Sequence, residues 1–231
     1  MRNAFGIVLV FWVIGCSVYQ AEPVTTPSIE VLPFSRREGK VTVAGDPYVG
    51  RERSEAFFGQ DLSKLGVIPI QLFVQNHGEG RLWLQPSSLS LILPDGTSLK
   101  PVRAMVVGTM ETPGEFSRGE DEAIAHGAVI GAILLFQPLL GAGLARDIHR
   151  DKERTKVFQR TTDYWTKELK DVIVGKNESA HGFVFFVPNS GSAAFDEATV
   201  VYNLLDIDAA ERFAIGLPLT GLGFSGTPKD P

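Results

Sequence analysis

Apolar and polar positions alternate along two separated parts of this chain. In KVTVAG (40–45) Val41 and Val43 share one face of an extended stretch. GVIPIQLFVQN (66–76) is a run of β-branched and aromatic residues, RLWLQ (81–85) sets Leu82 and Leu84 around Trp83, and SLSLIL (88–93) alternates cleanly. PDG (94–96) is a turn signal before TSLKPVR (97–103). RSEAFFGQDLSKLG (53–66) reads as a short helix with Ala56, Phe57, Leu62 and Leu65 on one face and Gly66 as its stop. The second block holds HGFVFFVP (181–188), apolar on both faces as a central strand is, then EATVVYNLLD (197–206) and RFAIGLPL (212–219). Short strands separated by turn residues predict a sandwich or barrel.

The segment between the blocks has a different pattern. AIAHGAVIGAILLFQPLLGAGLA (123–145) is 23 residues without a formal charge, and RDIHRDKERTKVFQRTTDYWTKELKDVI (146–173) is strongly charged. In the latter, Val157, Tyr164 and Ile173, with Phe158, Trp165 and Leu169, recur at helical spacings and predict one amphipathic helix. By length alone 123–145 can cross a bilayer. Gly127 and Gly131 have the spacing that lets helices touch closely, which makes them candidates for helix packing or oligomerisation. Three points oppose crossing. A crossing would put the two β blocks on opposite sides of the membrane, and neither block has enough strands alone. It would also fix the chain in the inner membrane, against the address given below. Pro138 breaks the segment, leaving Ala123–Gln137 only about 22 Å long as a helix. The favoured reading is a helical hairpin inserted in a sandwich; a membrane-active or oligomerising helix is the alternative.

The first twenty residues, MRNAFGIVLVFWVIGCSVYQ, run from a basic start (Arg2) through an apolar stretch to a small residue before Cys16, the order of a secretory signal. Val13-Ile14-Gly15-Cys16 resembles the lipobox of bacterial lipoproteins. The resemblance implies cleavage before Cys16, with Cys16 carrying diacylglyceryl and a further acyl group such as palmitate. Ser17 fits an outer-membrane address. Several acyl chains anchor a protein stably where one holds it only marginally. Residues 17–28, with Pro23 and Pro27, read as a tether.

Cleavage would leave 216 of the 231 residues and, with Arg2 gone, take the net side-chain charge from −5 to −6. That balance argues against a nucleic-acid partner, which needs a basic face. A hydrophobic content of 44% is enough for a real core. One cysteine can form neither an internal disulfide nor a thiolate cluster.

Candidate chemistry is sparse. His77, His126, His149 and His181 form no HExxH, although Glu122/His126 and His149/Glu153 stand four apart. Asp206 and Asp208 offer two carboxylates, too few for an EF-type calcium loop. There is no GxSxG elbow, and GLGFSG (221–226) has GxGxxG spacing but is followed by TPKD and not by a helix pattern that would supply a dipole; GSA at 191–193 reads as a turn, and 216–226 as part of a loose tail. We expect no catalytic residue, metal or cofactor. Trp83, Trp165 and Tyr164 are possible partner anchors, but core positions are the commoner use of such residues.

The lipobox with the GVIPIQLFVQN and HGFVFFVP strands resembles a group of uncharacterised bacterial envelope lipoproteins, which implies an immunoglobulin-like β-sandwich. The expected layout is a signal peptide at 1–15, a lipidated tether at 16–28, a sandwich from 29–105 and 176–220, a helical insertion at 106–175 and a flexible tail at 221–231. The fold class is mainly β with an α insertion. The expected function is a lipid-anchored, non-enzymatic binding or scaffold module of the envelope, facing the periplasm. Its partners would be the membrane, through the anchor, and an envelope protein, with a second copy as a further candidate.

Overall fold

The computed structural model describes Ala21, Ile29, residues 32–111, 144–188, Phe195 and 197–220, with backbone alone for 144–153. The expected leader, lipidation site, glycine pair and tail therefore lie outside the described residues.

The chain is mainly β, with antiparallel sheets and a few helices. In order it forms β1 (Phe34–Glu38), β2 (Val41–Pro47), α1 (Arg51–Phe58), β3 (Ile68–Asn76), β4 (Leu82–Leu84), β5 (Ser90–Ile92), β6 (Ser98–Leu99), α2 (Ala104–Thr109), α3 (Leu144–Lys167), β7 (Val172–Val174), β8 (Ser179–Phe186), β9 (Ala198–Asp206) and β10 (Glu211–Leu219). The first sheet runs β1-β2-β3-β8. In the second, β9 pairs with β10 along one edge and with β5 and β4 along the other, and β6 and β7 flank these. Both sheets draw strands from both β blocks, with Ile70 opposite Val184 in one and Leu91 opposite Val200 in the other. The two blocks thus lie on the same side of any membrane. No helix among the described residues is long and apolar enough to cross one.

Alternation decides which faces meet. Val43, Ile70, Leu72 and Val184 of the first sheet share a core with Leu84, Leu91, Val200, Tyr202, Ile215 and Leu217 of the second. Tyr202 spans this core, its hydroxyl donating to the Ala44 carbonyl at 2.7 Å. The second sheet is buried on one side, so β9 alternates between buried and more open positions. In contrast β3 is buried almost throughout, because helices cover the outer face of the first sheet. The odd-numbered Phe183 and Phe185 of β8 point into that helical layer, against Tyr48, Phe58, Val107 and Tyr164. The order is helices, first sheet, second sheet.

Three local departures from the sequence expectations have clear causes. The helix expected over 53–66 is divided. Gly59, with φ of 61°, closes α1, and Asp61 starts a 3-10 turn at Leu62–Leu65 by accepting from the Ser63 N–H. Ser54 ties the two pieces, its hydroxyl donating to the Gln60 carbonyl and accepting from the Leu62 N–H. The helix expected over 146–173 stops at Lys167, and the β-branched Val172-Ile173-Val174 pairs with β4. Between them the Leu169 N–H donates to the Phe183 carbonyl at 2.8 Å, and the Leu169 side chain enters the inter-sheet core. Gly182 makes this crossing possible, since a Cβ there would lie 2.5 Å from Leu169 Cα. Finally, the SLSLIL strand starts late. Seven residues from Leu84 to Ser90 face four from Leu204 to Val201, and the surplus of three is the 3-10 turn Pro86–Ser88. Ser88 and Asn203 lock that bulge by reciprocal side-chain to carbonyl hydrogen bonds of 2.7 and 2.5 Å.

Candidate functional site

The second half of α3 organises the helical layer. Tyr164 is fully buried and its hydroxyl donates to the Phe58 carbonyl at 2.9 Å, at the end of α1. The Lys167 ammonium donates to the neighbouring Phe57 carbonyl and pairs with Asp163 at 2.8 Å. Two α3 side chains therefore satisfy carbonyls left open at the C-terminus of α1, one of them a cation where the helix dipole favours it. At α2, Glu168 accepts from the Ala104 N–H at 2.8 Å, at the N-terminal end. Arg160 donates to the Gly108 carbonyl at 2.7 Å, at the C-terminal end. An anion at the start and a cation at the finish both complement the dipole of α2. The two helices approach closely because residue 108 is glycine: a Cβ there would stand 2.7 Å from Thr161 Cα.

With Thr161, Tyr164, Lys167 and Glu168 turned inward, the adjacent stripe of α3 faces solvent. Phe158 is 50% exposed and Trp165 47% exposed, seven residues apart and so on one side of the helix. The Lys170 ammonium stands 4.3 Å above the Trp165 ring and 2.9 Å from Glu168. Arg103 pairs with the same carboxylate at 3.4 Å. Arg103, Glu168, Lys170 and Trp165 thus form a connected charged and aromatic rim at the α2–α3 junction. Such a surface, with half-exposed aromatics on a fixed helix and cations beside them, suits docking.

The sequence placed Val157/Tyr164 and Phe158/Trp165 on one amphipathic face. Two neighbouring seven-residue stripes are both apolar, and periodicity does not rank them. The structure buries Tyr164 and leaves Phe158 and Trp165 in the open, because the hydroxyl of Tyr164 has a carbonyl to reach. Trp83 is half-buried in β4. Lys170, Arg103 and Glu168 carried no sequence signal, since their grouping depends on α2 packing against α3.

The other candidates have structural occupations. Asp206 accepts from the Asp208 and Ala209 N–H groups at 3.0 Å, and Asp208 pairs with Arg81 at 2.6 Å, which holds the Asp208 carboxyl below its usual range. His77 meets the Thr42 hydroxyl at 3.1 Å. His181 stacks on Phe73 with ring centroids 5.4 Å apart, and burial pushes its pKa down. Gln71 is buried, with its carbonyl oxygen taking the Tyr48 hydroxyl at 3.0 Å. Asn177 sits in a turn with φ of 56°. Among the described residues, no three His, Cys, Asp or Glu side chains are grouped to hold a metal. Cys16, Gly127, Gly131, Glu122, His126 and the GSA stretch lie outside the described residues, as do the side chains of His149 and Glu153.

No described protein family and no curated protein matches the chain. Three solved structures align with it weakly. A Bacillus subtilis protein designated a candidate lipoprotein (ycdA) gives a TM-score of 0.37 at 10% identity, covering 81% of this chain and 38% of its own. This chain thus spans well under half the length of that protein. The Bacillus subtilis yjhA protein gives 0.35 at 9% identity, covering 79% of this chain and 95% of its own. A functionally unknown protein from Listeria monocytogenes gives 0.34 at 9% identity and 81% of each chain.

Proposed function

We propose that this chain is a lipid-anchored bacterial envelope protein acting as a non-enzymatic docking module. Cys16 carries the lipid, residues 16–28 form the tether, and the two sheets form an immunoglobulin-like sandwich held at the periplasmic face of the outer membrane. The working surface is the outer side of the helical layer, where α3 presents Phe158 and Trp165 to an envelope component. The observation that carries this reading is the pair of half-exposed aromatics on a helix whose inward side is fixed to α1 and α2 by Arg160, Tyr164 and Lys167, with Glu168 just past its end adding a fourth contact. A rigidly held aromatic loses little conformational freedom on binding, so it suits an anchor.

A photoreactive amino acid placed at 158 or 165 in intact cells tests the assignment. Adducts from both positions, and none from exposed Glu211 on β10, are expected. Equal yields from all three positions, or none from the helix, would remove the docking face.

A further inference from the structure

We infer that the component met by the Phe158–Trp165 face is the anionic headgroup layer of the bilayer that holds the lipid anchor; this rests on the anchored docking module above. The first support is charge. The chain as a whole is at −5, yet the described part of α3 and its exit reverse the sign. From residue 154 to 170 stand Arg154, Lys156, Arg160, Lys167 and Lys170 against Asp163 and Glu168; Arg160 and Lys167 are turned inward onto α2 and α1, so the cations beside Phe158 and Trp165 are Arg154 and Lys170, joined by Arg103 from the start of α2. Both carboxylates are engaged by cations, Asp163 by Lys167 and Glu168 by Arg103 and Lys170, so the face presents little negative potential. Aromatics set among basic side chains on one helix are the composition of an interfacial contact, where rings enter the headgroup boundary and cations meet anionic lipid.

The second support is the route of the chain. Leu32, with Ile29 packed beside it, lies against Ala44 and Phe73. Phe73 stacks on His181, and Phe183 and Phe185 follow on the same side of β8. The N-terminal segment therefore arrives on the outer face of the first sheet, the face that the helices also cover. Twelve residues lie between Cys16 and Ile29, a reach of at most about 45 Å. An anchor on so short a lead holds this face near its own bilayer at high effective concentration, so a weak interfacial contact is populated. A soluble envelope protein has no such proximity.

The test uses the full chain, purified from cells and reconstituted into vesicles of phosphatidylglycerol and phosphatidylethanolamine, with or without brominated acyl chains. Trp165 emission is isolated by difference from Trp165→Phe. The expected result is loss of Trp165 emission in brominated vesicles, reduced by the double substitution Arg154→Glu and Lys170→Glu and by replacing phosphatidylglycerol with phosphatidylcholine. Emission unchanged by bromination overturns the lipid assignment, and acrylamide then separates the cases. A Trp165 shielded from acrylamide is covered by this chain itself, within one copy or between two, and that removes both the lipid contact and a free docking face. A Trp165 open to acrylamide removes the lipid contact alone, and the docking module is then decided by the crosslinks from 158 and 165 in intact cells. The mass of the Cys16 peptide in the same sample reports the anchor independently.

Discussion

Replacing Gly108 by alanine sets two effects of opposite sign against each other. Alanine is the better helix former, by up to about 1 kcal/mol over glycine in a helix interior. Residue 108 lies in the last turn of the six-residue α2, so the gain is at the lower end. Against it, the new Cβ would meet Thr161 Cα at 2.7 Å and Thr161 Oγ1 at 2.9 Å. The first is a backbone atom and no rotamer change relieves it, so α2 must move away from α3. Movement stretches the Arg160 to Gly108 and Ala104 to Glu168 hydrogen bonds, now 2.7 and 2.8 Å. Overpacking of this kind costs about 1–3 kcal/mol, and the net expectation is a destabilisation of about 1–2 kcal/mol. With a urea m-value of about 2 kcal/mol/M, the unfolding midpoint followed by far-UV circular dichroism falls by about 0.5–1 M. Adding Thr161→Ala removes the hydroxyl but not Cα, so it should restore little. A midpoint equal to or above wild type would refute the tight α2–α3 crossing and, with it, the rigid presentation of Phe158 and Trp165.

Tyr164→Phe removes the buried hydrogen bond to the Phe58 carbonyl and should lower stability by about 1–2 kcal/mol, read as a fall in Tm. The same tyrosine governs alkaline behaviour. Burial raises the pKa of Tyr164 and of Tyr202 in the folded chain. Unfolded phenols lose their protons near pH 10 while these two keep theirs, so the unfolded state binds fewer protons. The stability contribution is complete below about pH 10 and falls above it by about 1.4 kcal/mol per pH unit per tyrosine. Urea midpoints across that range should drop less steeply in Tyr164→Phe, and equal slopes would contradict the assignment. Glu168→Gln keeps an acceptor for the Ala104 N–H but weakens the pairs with Arg103 and Lys170. A Tm loss corresponding to about 1 kcal/mol is expected, and an unchanged Tm would show that the α2–α3 rim is only surface decoration.

Strands were legible where the residues left only one choice. GVIPIQLFVQN is apolar on both faces and became β3, buried against helices on one side and the second sheet on the other. EATVVYNLLD alternates and became β9, with a single buried face. Neither β block has enough strands to build both sheets alone, and each sheet takes strands from both. Boundaries failed where a tertiary partner decided them. Nothing local ends α3 at Lys167; the stop comes from Leu169 binding the Phe183 carbonyl across Gly182. The exposed stripe was only partly legible for the same reason. Trp165 reads as a partner anchor or, more commonly, as core, because an exposed aromatic stripe and a buried one share a period, and only the carbonyls of α1 select between them. The cations at the α2–α3 junction come from positions 103 and 170, which nothing in the linear sequence brings together.

The account depends most directly on the state of residue 16 in the native protein. Mass spectrometry of the mature N-terminal peptide, from envelope fractions, reads it in one step. The predicted product begins at Cys16 and carries the mass of a diacylglyceryl group and an amide-linked acyl chain. A peptide that retains Met1–Gly15, or one that begins at Cys16 with an unmodified thiol, would contradict the tethered docking module.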